Sequence, residues 1–102
     1  MDIKHKLIGN DLHIYMYGEV DEYTSHKGRK LIDDLIDNYK FLSSIVFDTS
    51  GVTFMDSTGI GMFLGRYKKI KKLNIKMYIS GTNSVTDKIF EISGIYTIIP
   101  KK

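Results

Sequence analysis

The chain has 102 residues, 42% hydrophobic and 26% charged, which suits one compact domain over residues 1–102 and excludes a disordered chain. It contains no cysteine, and His5, His13 and His26 show no ligand spacing, so thiol chemistry is excluded and neither a metal nor a cofactor is expected. The net charge is +3, but all but two of the 15 cations are lysine and only Arg29 and Arg66 offer a forked guanidinium; a solvated lysine surface is the simpler reading, with no direct nucleic-acid partner.

The chain opens as a hairpin. Ile3, His5 and Leu7 alternate with Lys4 and Lys6, and Leu12, Ile14 and Met16 alternate with His13, Tyr15 and Tyr17. Gly9-Asn10 between them fits a two-residue type II′ turn, which sets Leu7 opposite Leu12, His5 opposite Ile14 and Ile3 opposite Met16. After Gly18-Glu19-Val20-Asp21 the period lengthens. Leu31, Ile32, Leu35, Ile36 and Tyr39 mark a helix from about Thr24 to Tyr39, with Thr24 or Ser25 as its cap.

Ile45-Val46-Phe47 reads as a short buried strand ending at Asp48. A second helix starts at Ser57 with Ile60, Phe63, Leu64, Tyr67 and Ile70 as its core stripe, and its closing lysines favour a helix C-terminus. Ile75 to Ile79 gives the next strand. Ser84-Val85-Thr86-Asp87 resembles a capping box for a third helix burying Val85, Ile89 and Ile92, with Gly94 as its terminator. Tyr96 to Ile99 reads as a last strand. The order β-β-α-β-α-β-α-β predicts an α/β fold with a mixed five-stranded sheet, helices packed against it and right-handed crossovers.

The stretch Phe54-Met55-Asp56-Ser57-Thr58-Gly59 falls at the carboxyl end of a strand, where open α/β sheets place functional loops. Ser57 is expected at the cap or first position of the second helix, with its hydroxyl near unpaired N–H groups and the positive end of the dipole. A phosphate is tolerated at such a position, and Asp56 beside it partly opposes the gain. Ser and Asp are ordinary capping residues, and the pattern alone favours capping over regulation. Gly61 and Gly65 share the outward side of this helix, and Met62 is read as an exposed methionine on the same side. Two helical glycines cost roughly 1 kcal/mol each relative to alanine, a cost that close approach of a protein partner, or tight packing of the helix on its own sheet, would explain.

Enzymatic readings of the segment fail. Leu64 fills the slot where a dinucleotide fingerprint needs its third glycine, and the Walker spacing is absent. Ser57 lacks the G-x-S-x-G elbow and a histidine base, so no catalytic constellation is present and no enzyme is expected. No apolar run approaches the ~20 residues that span a bilayer, and MDIKHKLIGN has no secretory pattern, which predicts a cytoplasmic protein without membrane contact.

Phe54 to Lys72, FMDSTGIGMFLGRYKKIKK, closely resembles the signature of the anti-sigma factor antagonists of the STAS domain family. Gly18-Glu19-Val20-Asp21 and Phe90-Glu91-Ile92-Ser93-Gly94-Ile95 agree with it, and Leu64-Gly65-Arg66-Tyr67-Lys68 looks most like the sporulation antagonists of the anti-sigma F factor. The resemblance implies a monomeric binding module controlled by phosphorylation. Its unphosphorylated form binds an anti-sigma factor that is itself a serine kinase and frees the sigma factor. Phosphorylation at the position of Ser57 abolishes binding, and a PP2C-type phosphatase restores it. Asp21 matches the family's acidic residue in kinase recognition and Asp56 the acidic residue before the acceptor. Thr58, Gly61, Met62 and Gly65 complete the expected partner surface. Thr58 is also common in general-stress antagonists, which leaves that pathway as an alternative, as is a STAS scaffold module of a signalling complex.

Overall fold

A computed structural model describes all residues, Met1–Lys102. The hairpin forms with the expected register: β1 (Asp2–Ile8) pairs antiparallel with β2 (Asp11–Val20), with Leu7 opposite Leu12 and Ile3 opposite Met16. Gly9 takes φ 61° at the turn, a conformation that glycine adopts without a Cβ penalty. Leu12, Ile14 and Met16 are buried, whereas His5 is exposed with its ring edge-on to Tyr39.

Helix α1 spans Glu22–Asn38 and starts earlier than its hydrophobic period indicates. Asp21 caps it. The Asp21 carboxylate accepts from the Thr24 backbone N–H at 3.0 Å, and the Asp21 N–H donates to Thr24 Oγ1 at 3.0 Å. Thr24 is therefore the third helical residue in a capping box, and neither it nor the buried Ser25 is the cap. Ile32 and Ile36 are buried, and Leu31 turns out to solvent.

Strand β3 (Ser44–Met55) runs well past Asp48, parallel to β2 along its length and to β4 (Lys76–Ser80) over its first part. The turn chemistry of Asp48-Thr49-Ser50-Gly51 hides this continuation in the sequence. Its polar groups are satisfied inside the strand: the Asp48 carboxylate accepts from the Ser50 N–H at 2.9 Å, and buried Thr49 Oγ1 pairs with Thr86 Oγ1 at 3.1 Å. The sheet has four strands in the order β1-β2-β3-β4, not the five expected.

The missing strand is the C-terminal segment. Gly94 closes α3 (Ser84–Ser93) in the left-handed region, and Ile95–Thr97 then makes a 3₁₀ turn that buries Ile95. One bridge between Ile79 and Lys101 remains, where Ile79 N–H donates to the Pro100 carbonyl at 3.0 Å. Pro100 has no N–H to extend the ladder. Two details of α3 also differ from expectation. Asn83, not Ser84, caps it, and the buried residues are Thr86 and Phe90, while Val85 and Ile92 face solvent. Rotation of α3 is set by Thr86 reaching Thr49 and by the Phe90 ring, which meets Phe63 edge-on at 5.4 Å and Tyr96 at 5.7 Å.

The helices cover the sheet face that carries Leu12, Ile14, Phe47 and Ile79. Phe63 of α2 (Ser57–Lys72) sits at its centre, edge-on to Phe47 at 5.3 Å. Helices α1 and α2 lie side by side, joined by Arg66 Nε and Asp33 Oδ1 at 2.9 Å and by Lys69 and Asp37 at 3.1 Å. The first contact is an ion pair rather than an aligned hydrogen bond, because neither atom meets a partner in bonding orientation.

Candidate functional site

Parallel pairing of β2 and β3 brings two helix N-termini together. Val20 pairs with Met55 at the carboxyl ends of the two strands, and each strand is followed by an aspartate in extended conformation that caps the next helix: Asp21 for α1 and Asp56 for α2. The Asp56 carboxylate accepts from the Thr58 N–H at 2.9 Å, and its carbonyl accepts from the Gly59 N–H at 3.0 Å. Ser57 is thus the first residue of α2 and not its cap. Its side chain is exposed and makes no hydrogen bond within the molecule.

Helical spacing explains that exposure. Gly59, Met62, Phe63 and Ile70 are buried on α2, and Ser57, Gly61 and Lys68 recur on the side turned away from them. The motif glycines have different jobs. A Cβ on Gly59 would lie 2.6 Å from Met55 Cγ and 3.1 Å from Val20 Cγ1, so this glycine lets the start of α2 seat against the sheet. A Cβ on Gly61 or Gly65 would meet nothing within 4 Å. Those two are open toward solvent, as their spacing predicts.

Met62 is not on that surface. It is 2% exposed and points toward α1, where its sulfur would lie 3.9 Å from a Cβ on Gly28. The sequence reading treats α2 as having one buried side. The helix in fact has two neighbours, the sheet on the side of Phe63 and Ile70 and helix α1 on the side of Met62 and Arg66. The outward surface is correspondingly narrower: Ser57 and Gly61, with half-buried Thr58 and Gly65 at its margin.

Carboxylates stand at this end of the molecule on Asp21, Glu22 and Asp56, with that of Glu19 at the end of β2. The backbone N–H of Thr24 holds the Asp21 carboxyl below the usual carboxylate range against a smaller opposing cost of burial, with help from the Thr24 hydroxyl and the Tyr23 N–H. It is ionised at neutral pH. The pattern Asp21-x-x-Thr24 is the signal from which this cap can be read. Tyr23, 94% exposed in the first turn of α1, is a further feature that hydrophobic periodicity passes over. None of the surface cavities is lined by Ser57, Asp21 or Asp56. No group of three or more His, Asp or Glu side chains converges to hold a metal ion.

The STAS domain model matches residues 2–102. An anti-sigma F factor antagonist from Paenibacillus polymyxa is 33% identical over 87 residues, covering 85% of this chain and 74% of that protein. An anti-sigma-B factor antagonist from Listeria monocytogenes is 32% identical over 91 residues, covering 87% and 76%. The solved structure of the anti-sigma factor antagonist SpoIIAA in its unphosphorylated form superposes with a TM-score of 0.80 at 20% identity, over 99% of this chain and 88% of that one. With a matching domain over nearly every residue and relatives of one kind, the chain belongs to the STAS domain family, among the anti-sigma factor antagonists.

Proposed function

We propose that this protein is an antagonist switched by phosphorylation of Ser57. Unphosphorylated, it binds an anti-sigma factor that is also a serine kinase and so releases the sigma factor; phosphorylated, it lets go, and a PP2C-type phosphatase resets it. The protein acts as a monomeric binding module in the cytoplasm and carries no catalytic centre of its own. The observation that supports this reading is the exposed, uncommitted hydroxyl at the start of α2, beside two capping carboxylates. A phosphoserine brings about −1.5 to −2 charges. A partner surface fitted to a neutral hydroxyl and to Asp21 then meets added negative charge and a desolvation cost. A penalty of about 4 kcal/mol weakens binding roughly a thousandfold.

The LGRYK segment favours the sporulation sigma F pathway. Thr58 and the similarity to anti-sigma-B antagonists favour the general-stress pathway as the second reading, and binding to each anti-sigma kinase separates them. The deciding experiment incubates the protein with the kinase and ATP and maps the modified residue by mass spectrometry. Modification at Ser57 is expected. Ser57→Ala should stay folded, bind the kinase and resist inactivation, and Ser57→Asp should bind weakly. Tight binding by Ser57→Asp would sink the electrostatic switch.

A further inference from the structure

The end of the molecule away from Ser57 gathers the hairpin turn, the loop after α1 and the close of α2. The Ser43 N–H donates to the Asn10 carbonyl at 2.8 Å and the Lys76 N–H to the Ser43 carbonyl at 3.2 Å, so these segments adjoin. Phe41 stands out in the loop. It is 90% exposed, and its φ of 65° is a left-handed conformation that a bulky residue enters only at a cost. Leu73, just past α2, is 51% exposed, and Ile8 at the hairpin turn is exposed as well. Phe41 and Leu73 border an apolar hollow of about 330 Å³, lined also by Ile36, Leu42 and Ile75. Two further hollows adjoin it through Ile75, Tyr67 and Lys71. Together the three are bordered by Lys40, Lys68, Lys71, Lys72 and Lys76 and by no carboxylate. None of these lysines makes an ion pair, and Lys71 alone lies over a ring, 5.8 Å from the centre of Tyr67. The carboxylates at the margin have cations of their own: Asp37 pairs with Lys69 at 3.1 Å, and Asp11 shares a face of the hairpin with Lys6. Lys71 and Lys72 also answer the dipole at the close of α2, but Lys40 and Lys76 lie outside any helix.

We propose that this end docks on an anionic lipid surface, with Phe41 and Leu73 entering the boundary between headgroups and acyl chains and Lys40, Lys71, Lys72 and Lys76 meeting the headgroups. Charge and apolar surface select the same occupant. Aromatic rings settle at the level of the headgroups, and lysine stems lie along apolar surface while their ammonium groups reach anionic charge. An acidic protein suits this mixture less well. The centres of protein interfaces are depleted of lysine and enriched in arginine, and both arginines of the chain lie in the groove between α1 and α2. Nucleic acid would find one fully exposed ring, with aliphatic neighbours that offer no stacking. The strain at Phe41 also acquires a reason, since it keeps the ring in solvent. No helix is long and apolar enough to cross a membrane, and surface docking requires none. The expectation of no membrane contact rests on the lack of a spanning segment and a secretory pattern, which does not reach a surface of this kind. A single aromatic and a few lysines give reversible attachment. The 12 residues of β3 separate this end from Ser57, well beyond the ~8 Å over which charge is felt at physiological salt, so the inference stands independently of the phosphorylation reading.

The test is co-sedimentation with vesicles of phosphatidylcholine alone and with about 30% phosphatidylserine, at low and at high salt. Binding should require the anionic lipid and fall with salt. Lys40→Gln should weaken it roughly fivefold, and Lys71→Gln with Lys76→Gln roughly 25-fold. Phe41→Asn should weaken it about tenfold or more. Its Tm should be kept or raised, because asparagine enters the left-handed region more readily than phenylalanine, and that pair of outcomes separates docking from folding. Lys27→Gln with Lys30→Gln, on α1, and Ser57→Asp, at the other end, should change binding little. Vesicles that carry a spin-labelled lipid read the contact in the parent protein, through selective broadening of the Phe41 and Leu73 resonances. Absence of binding, equal binding to the neutral vesicles, equal loss in the Lys27/Lys30 variant, or broadening centred on Ser57 each overturns the proposal. So does parental binding by Phe41→Asn, which would mark a surface that reads charge only and suits an acidic protein instead.

Discussion

Replacing Gly61 by alanine separates what α2 needs for folding from what its outward side offers a partner. Gly61 lies in the second turn of the helix, is exposed and has no positive φ, and a Cβ there meets nothing within 4 Å. In a helix interior such a change gains roughly 0.5–1 kcal/mol, because alanine loses less backbone freedom on folding. Gly65 is similarly open, so Gly61→Ala with Gly65→Ala should gain on the order of 1–2 kcal/mol. For a domain of this size each kcal/mol raises Tm by about 4–8 °C. Thermal unfolding by circular dichroism, with a urea series to confirm an unchanged slope, reads the gain directly. Affinity for the anti-sigma factor should move the other way. A methyl that meets nothing in the free protein meets the partner at a close interface, where overpacking costs about 1–3 kcal/mol, or roughly a 5- to 150-fold loss. A stabilised variant that binds at parental affinity would show that the glycines serve no partner. A destabilised variant would show that the outward side of α2 is not open.

Asp21 caps α1 and, in the proposed function, takes part in kinase recognition, and asparagine caps as well as aspartate. Asp21→Asn should therefore keep Tm and slow phosphotransfer to Ser57, whereas Asp21→Ala should lower both; unchanged phosphotransfer in Asp21→Asn removes Asp21 from recognition. Because the folded carboxyl is depressed below its ordinary 3.8, its stabilising contribution is present above that pH and is lost as pH falls through the folded value, so Asp21→Asn should flatten the acid limb of stability. Met62→Ala should destabilise by about 2–5 kcal/mol in urea unfolding through the cavity left between α1 and α2; a change under about 0.5 kcal/mol, typical of a surface site, contradicts its burial. Burial and the hydrogen bond from Tyr96 Oη to Asp87 at 2.6 Å push the Tyr96 phenol above its ordinary value of 10.0. The neutral phenol therefore stabilises the fold up to that ordinary value, and the contribution is lost as pH rises through the higher folded one. Ultraviolet difference titration should show Tyr96 ionising after the more exposed tyrosines, with Asp87→Asn narrowing the gap, and simultaneous ionisation of all tyrosines would refute it.

Local chemistry made the hairpin and the start of α2 readable: alternation about Gly9-Asn10 fixes the register of β1 with β2, and Asp56-Ser57 fixes where a helix begins. What stayed hidden depends on neighbours far along the chain. The second half of β3 looks like a turn because Asp48, Thr49 and Ser50 are polar, and only the partners from Gly81 and Thr86 let Thr49 be buried there. Tyr96 to Ile99 alternates like a strand, yet the left-handed Gly94 starts a 3₁₀ turn, and Tyr96 is held by Asp87 instead of a ladder. In α3, Val85 and Ile92 are apolar but lose the core to Phe90, whose ring fills the space beside Phe63. Met62 shows the same limit at the candidate site. A single periodic stripe cannot report a second neighbour such as α1.

The caps also bear on how a phosphate at Ser57 would be felt. A bare helix N-terminus offers N–H groups that could hold a phosphate and neutralise part of its charge. Here the Asp56 carboxylate already takes the Thr58 N–H and the Asp56 carbonyl takes that of Gly59. The dipole at the start of α2 is answered by a carboxylate in place before any phosphate arrives, and α1 alongside is answered by Asp21 in the same way. A phosphate on Ser57 would therefore meet like charge on its own molecule and turn outward, leaving its cost to the partner. In the proposed switch no second conformation of the fold is required, because two occupied caps would direct the new charge outward, toward the partner.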